Sequence, residues 1–132
     1  MAATGTTNAP APCPTVRLNN GVDMPLFGLG LSHNGGFSRR AVDHALRRGV
    51  RLLDTAKRYG NESEVGAAVA AYVSAGAGAA AREDVFISTK LWPGDAGDVA
   101  GAYAGSAGRL GTHADLYLVH WPGVWARLPT NF

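Results

Sequence analysis

The sequence predicts an α/β fold built on a parallel sheet, and three stretches carry that prediction. Val50-Arg51-Leu52-Leu53-Asp54, Val85-Phe86-Ile87-Ser88-Thr89-Lys90 and Asp115-Leu116-Tyr117-Leu118-Val119-His120 are short β-rich runs, each closing on an ionisable side chain. Helix-type sequence separates them. They therefore pair through right-handed crossovers, and their C-terminal ends emerge on the same side of one sheet. Side chains alternate along a strand, so Val50, Leu52 and Asp54 share a face, as do Phe86, Ser88 and Lys90, and Leu116, Leu118 and His120. Tyr59 follows Asp54 in the loop beyond. Asn61 with Glu64 reads as an N-cap and its return contact, which starts a helix just after Tyr59. On this topology Asp54, Tyr59, Lys90 and His120 converge.

Length and composition set the class. The chain has 132 residues, enough for one domain with a real core, and 46% apolar content is ordinary for a globular protein. A formal net charge of +2, with arginines scattered except for Arg39-Arg40 and Arg47-Arg48, gives no basic stripe for nucleic acid. The single Cys13 excludes an internal disulfide and fits a reducing compartment. No apolar run approaches the roughly 20 residues of a membrane-spanning helix. Met1 to Pro14 has neither the charged start nor the apolar centre of a secretory signal. A cytoplasmic setting is the expectation, with no nucleic-acid, membrane or metal partner.

Along the chain, residues 1–14 read as a flexible Ala/Thr/Pro tail. Thr15-Val16-Arg17-Leu18 and Asp23-Met24-Pro25-Leu26 flank Asn19-Asn20-Gly21, a strong hairpin signal. Leu26 to Leu31 is then a buried strand, the first of the parallel set, with Gly28 and Gly30 marking close approach. A dinucleotide fingerprint would need a third glycine where His33 stands, so that reading fails. Ser38 caps a helix with Val42, Ala45 and Leu46 as its apolar stripe, and Gly49 stops it. A second helix runs from Glu62 to about Ser74. The Gly/Ala stretch from Ala75 to Ala81 reads as a flexible insertion. A third helix over Asp98 to Arg109 is the weakest element, because Gly101, Gly105 and Gly108 each cost about 1 kcal/mol relative to Ala. The domain ends near Gly123, and residues 124–132 show no periodicity.

Taken singly, the converging residues have bland readings. Asp54 serves as well for a loop cap, Tyr59 for a core aromatic, Lys90 for a solvated strand end and His120 for a structural histidine. Together, the stretches LNNGVDMPLFGLG, LLDTAKRYGNESEVG, VFISTKLW and DLYLVHWP make the chain resemble the N-terminal half of the aldo-keto reductases, over about residues 16 to 123. The resemblance implies a partial TIM-type (β/α) barrel, an N-terminal hairpin followed by about four parallel βα units, with the site at the C-terminal face. It also implies that Asp54, Tyr59, Lys90 and His120 form the catalytic tetrad, that Trp92 and Trp121 line the substrate pocket, and that Asp54 also contacts the cofactor, NADPH.

The implied chemistry is reduction of an aldehyde or ketone, with Tyr59 giving its proton to the nascent alkoxide. A phenol is a weak acid at neutral pH, and releasing its proton about three units early requires roughly 4 kcal/mol. An ammonium about 4 Å away, at an effective dielectric near 20, supplies about that much. Lys90 takes this part in the resemblance, Asp54 holds Lys90 charged and oriented, and His120 hydrogen-bonds the carbonyl oxygen.

The sequence departs from the family at scale. The full barrel has eight strands in about 250 residues, whereas four βα-type strands are visible here. No counterpart of the family's late basic cofactor-binding motifs is present. Thr130-Asn131-Phe132 faintly resembles a Ser-Asn-Phe motif but follows Pro122 too closely to be carried over. Two readings follow: an NADPH-dependent carbonyl reductase, weak or inactive as this chain alone, or a truncated non-catalytic isoform or interaction module. Open strand edges also lead one to expect self-association.

Overall fold

A computed structural model describes residues 13–32, 36–75 and 81–123. His33, most of the N-terminal tail, the centre of the Gly/Ala stretch and residues 124–132, including Thr130-Asn131-Phe132, lie outside the described residues.

The chain opens with the expected hairpin, β1 (Thr15–Arg17) antiparallel to β2 (Asp23–Pro25). Gly21 occupies the turn at φ +82°, a conformation glycine adopts without a Cβ clash. The Arg17 guanidinium closes the turn by donating to the Gly21 carbonyl at 2.7 Å and pairing with Asp23 at 2.8 Å.

The remaining strands are β3 (Gly28–Gly30), β4 (Leu52–Asp54), β5 (Phe86–Leu91) and β6 (Leu116–Val119). They form one parallel sheet in the order β3-β4-β5-β6, so each crossover moves one strand along. Helices α1 (Arg39–Arg47), α2 (Glu62–Ser74) and α3 (Val99–Leu110) make the three crossovers. The register sets Gly30 beside Asp54, Asp54 beside Ser88 and Lys90 beside Leu118, which brings the C-terminal strand ends level. Gly28 earns its place: a Cβ there would lie 2.5 Å from Leu52 Cγ, the next strand's side chain. Gly30 faces open space instead.

The core fills the space between the helices and the outer face of the sheet. Val42 and Leu46 of α1, Val65, Ala68 and Val69 of α2, and Leu110 of α3 pack with Leu53, Val85 and Ile87. The opposite face is open toward its edge. Leu52 and Leu116 are half-buried and Leu118 is 38% exposed. Phe86 departs from that trend: it lies on the same face yet is buried, in a central strand and in register with Leu52.

Helix ends follow the sequence at α1 and depart from it at α2. The Ser38 hydroxyl accepts from the Ala41 amide at 3.3 Å, and Gly49 follows α1 at φ +92°. Asp98 caps α3 by accepting from the Gly101 amide at 2.8 Å. Asn61 stands at the N-cap of α2, but its side chain makes no cap bond. Its amide instead donates to the Leu31 carbonyl at 2.7 Å, and its oxygen accepts from the Thr55 hydroxyl at 2.6 Å. Glu64 is exposed. A tertiary tie between β3, β4 and α2 has replaced the local cap.

The glycines that weaken α3 by propensity partly serve its surroundings. A Cβ on Gly101 would lie 2.1 Å from the Asp98 carboxylate, so the cap requires that glycine. In α2, a Cβ on Gly66 would lie 1.9 Å from the Leu110 carbonyl oxygen, so α2 and α3 touch backbone to helix there. Among the described residues no helix is long and apolar enough to cross a membrane.

Candidate active site

Asp54 ends β4, Lys90 sits near the end of β5, and His120 directly follows β6. Tyr59 closes a single 3₁₀ turn, Lys57–Tyr59, which Gly60 terminates at φ +68°. The parallel register and this turn bring Asp54, Tyr59, Lys90 and His120 to one mouth of the sheet. The Lys90 ammonium donates to both Asp54 carboxylate oxygens and to the Thr55 carbonyl, each at 2.8 Å. It also lies 5.0 Å from the centre of the Tyr59 ring. The Tyr59 and His120 rings meet edge to face at 5.5 Å.

Two indoles continue this cluster. Trp92 follows β5 and meets His120 edge to face at 5.5 Å, while Trp121 stacks on His120 at 5.5 Å with the planes only 7° apart. The imidazole is thus bracketed by Tyr59, Trp92 and Trp121. The His120 amide donates to the Leu91 carbonyl at 3.1 Å, which fixes its backbone to the end of β5. All six residues singled out from the sequence stand in one neighbourhood.

The electrostatics divide the site into paired and unpaired groups. Lys90 is 13% exposed and Asp54 35%, so the pair is sheltered but the carboxylate keeps a solvent-facing side. Burial pushes the His120 imidazole below its ordinary value, and the Lys90 charge lowers it further, with Asp54 opposing and Arg58 adding to the fall. His120 is therefore neutral at neutral pH. Its Nδ1 is buried with no hydrogen-bond partner. A neutral imidazole carries one N–H, suited to donating to a carbonyl oxygen.

Several supporting residues escaped the sequence reading. The Ser88 hydroxyl donates to Asp54 Oδ1 at 2.7 Å. Its signal was present, since Ser88 shares a face with Lys90 and pairs with Asp54 in register. Behind the sheet, Glu62 is 1% exposed and accepts from the Thr89 hydroxyl and from Arg109 Nε, each at 2.6 Å. Lys57 pairs with Asp95 at 2.6 Å, joining the turn that carries Tyr59 to the loop after Trp92. Arg58 lies over the Trp92 ring, 5.7 Å from its centre.

Known proteins resemble this chain in sequence and in fold. The sequence profile of the Aldo/keto reductase family matches residues 27–129. An uncharacterized oxidoreductase of Caenorhabditis elegans is 46% identical over 112 residues, covering 83% of this chain and 33% of the relative. The glyoxal reductase of Bacillus subtilis is 41% identical over 114 residues, covering 83% of this chain and 39% of the relative. Among solved structures, an aldo-keto reductase of Bombyx mori in complex with NADP superposes with a TM-score of 0.77 at 33% identity, covering 86% of this chain and 39% of that one. The chain thus spans about a third to two fifths of the length of these relatives. The four-strand parallel sheet with its hairpin is the corresponding part of their barrel. Profile, identity and fold agree that the chain belongs to the aldo/keto reductase family.

Proposed function

We propose that the mouth formed by Asp54, Tyr59, Lys90 and His120 reduces aldehydes or ketones to alcohols with NADPH as the reductant. The observation that carries this reading is the placement of Lys90. One ammonium is fixed by Asp54 and also faces the ring of Tyr59. Fixed positive charge beside a phenol favours the negative charge that develops as the phenol gives up its proton.

The donor set fits the reacting end of a nicotinamide cofactor. Asp54, a third exposed, keeps an accepting side beyond its bonds to Lys90 and Ser88, where an amide or hydroxyl of the cofactor can donate. When bound, NADPH supplies the hydride. His120, neutral and bracketed by three rings, donates to the substrate oxygen and orients it. Tyr59 delivers the proton to that oxygen as it gains charge. Lys90 stabilises the tyrosinate left behind, and Asp54 holds Lys90 in place. Trp92 and Trp121 wall the pocket and exclude water from the reacting groups. In the alcohol-oxidising direction the tyrosinate accepts the proton.

The similar Bacillus subtilis protein is a glyoxal reductase, so glyoxal is a fitting first substrate. Consumption of NADPH on addition of glyoxal, read by loss of its absorbance, supports the proposal. No consumption, together with no change in NADPH fluorescence on titration with the chain, favours the non-catalytic reading.

A further inference from the structure

Among the described residues the charges at the mouth cancel in pairs, with one exception. Lys90 is neutralised by Asp54, and Lys57 by Asp95. His120 is held neutral by burial and by neighbouring cations. Arg58 lies between these groups in sequence and over Trp92 in space, with its side chain exposed.

Every Asp and Glu of the chain falls within the described residues. None pairs with Arg58. The guanidinium lies instead over the face of an indole, its side chain exposed and its charge offset by no carboxylate side chain. The same indole packs against His120, the group that would orient a carbonyl. An exposed, aromatic-backed arginine with no carboxylate partner suits bidentate recognition of a carboxylate.

We propose that Arg58 selects carbonyl substrates bearing a negative group a few bonds from the reacting carbon, as in ω-oxo carboxylates. The inference rests on the carbonyl-reductase reading and adds the substrate class to it. Trp92 carries the hydrocarbon between the two polar ends, while His120 takes the carbonyl end and Arg58 the anionic end. A phosphate of the cofactor presents the same chemistry to Arg58, and the experiment separates the two sources.

The test compares ω-oxo carboxylates of about four to six carbons with alkanals of equal length, in wild type, Arg58→Gln and Arg58→Lys. Wild type is expected to favour the carboxylates in kcat/KM by about two- to fivefold, the scale of one partly exposed charge pair. That preference falls as salt is added. Arg58→Gln brings the ratio to about one, and Arg58→Lys retains part of it. An unchanged ratio in Arg58→Gln overturns the proposal. So does a defect confined to the KM for NADPH, which would assign the arginine to the cofactor phosphate. If no carbonyl is reduced at all, the parent reading fails, and calorimetric binding of the same two ligand series decides the role of Arg58. A carboxylate preference that Arg58→Gln removes supports it, and equal binding of both series overturns it.

Discussion

At Lys90, three acceptors converge on one ammonium: both Asp54 oxygens and the Thr55 carbonyl, each 2.8 Å away. Its charge is thereby fixed in direction, and Lys90→Met removes that charge while keeping the bulk of the stem. The expected loss is about 10²- to 10³-fold in kcat for carbonyl reduction, the usual effect of removing one preorganised electrostatic group. Steady-state kinetics at saturating NADPH check it. His120 titrates below its ordinary value, so its protonation is favoured in the unfolded chain over the folded one. Its contribution to stability is complete above about pH 6.5, the unfolded value, and declines as pH falls from there through the folded value. Reduction should likewise persist below pH 6.5 until the imidazole charges. NMR titration of the His120 ring protons in folded and denatured protein tests the sign. The meeting of these four residues was legible because Asp54, Lys90 and His120 sit at or beside strand ends, where alternation and parallel topology fix their side, and Tyr59 follows in the loop beyond Asp54. Ser88 was equally legible by alternation, and its bond to Asp54 needed only the register. Glu62 and Arg109 were not, because they meet across 47 residues and neither local period nor motif links them.

At the scale of the element, α3 shows why propensity alone undervalues a helix. Its glycines weaken it in isolation, but Asp98 caps one end, Gly111 at φ +67° closes the other, and Leu110 packs into the core. Tertiary contact decides the outcome. The α2–α3 crossing depends on Gly66, where the Leu110 carbonyl approaches too closely for any side chain. That neighbour is backbone and moves only with the helix. Gly66→Ala should therefore destabilise the fold by about 2 to 3 kcal/mol, the upper range of overpacking, despite alanine's better helix propensity. Urea denaturation should show a lower midpoint with the slope unchanged. A midpoint equal to or above wild type would show that the helices separate freely. The crossing could not be read from sequence, since a glycine in a helix signals a weak helix as readily as a close contact. The N-cap of α2 failed for a related reason: Asn61 had a better use in tying β3 and β4 to the helix than in capping it.

At the scale of the whole molecule, the sheet buries its helix-covered face and leaves the other open toward β6. Leu118 and Val119 are 38% and 66% exposed on that strand, which pairs only with β5 among the described strands. An apolar strand with a free edge recruits further strands. We propose that two copies associate through these edges. Light scattering should show a mass that rises with protein concentration, and a compact monomer over the full range would contradict it. The parallel order and the end of the sheet where the four residues meet were legible beforehand, because alternation, crossover handedness and four linked motifs agree. The buried ties that hold the layers were not legible, because they arise from packing. The central claim is that the mouth of this sheet assembles a proton donor driven by a fixed cation. The most direct test compares wild type and Tyr59→Phe in NADPH-dependent reduction of glyoxal at saturating cofactor. The account predicts a fall of about 10²- to 10⁴-fold in kcat with NADPH affinity retained. Equal rates in the two proteins would contradict it.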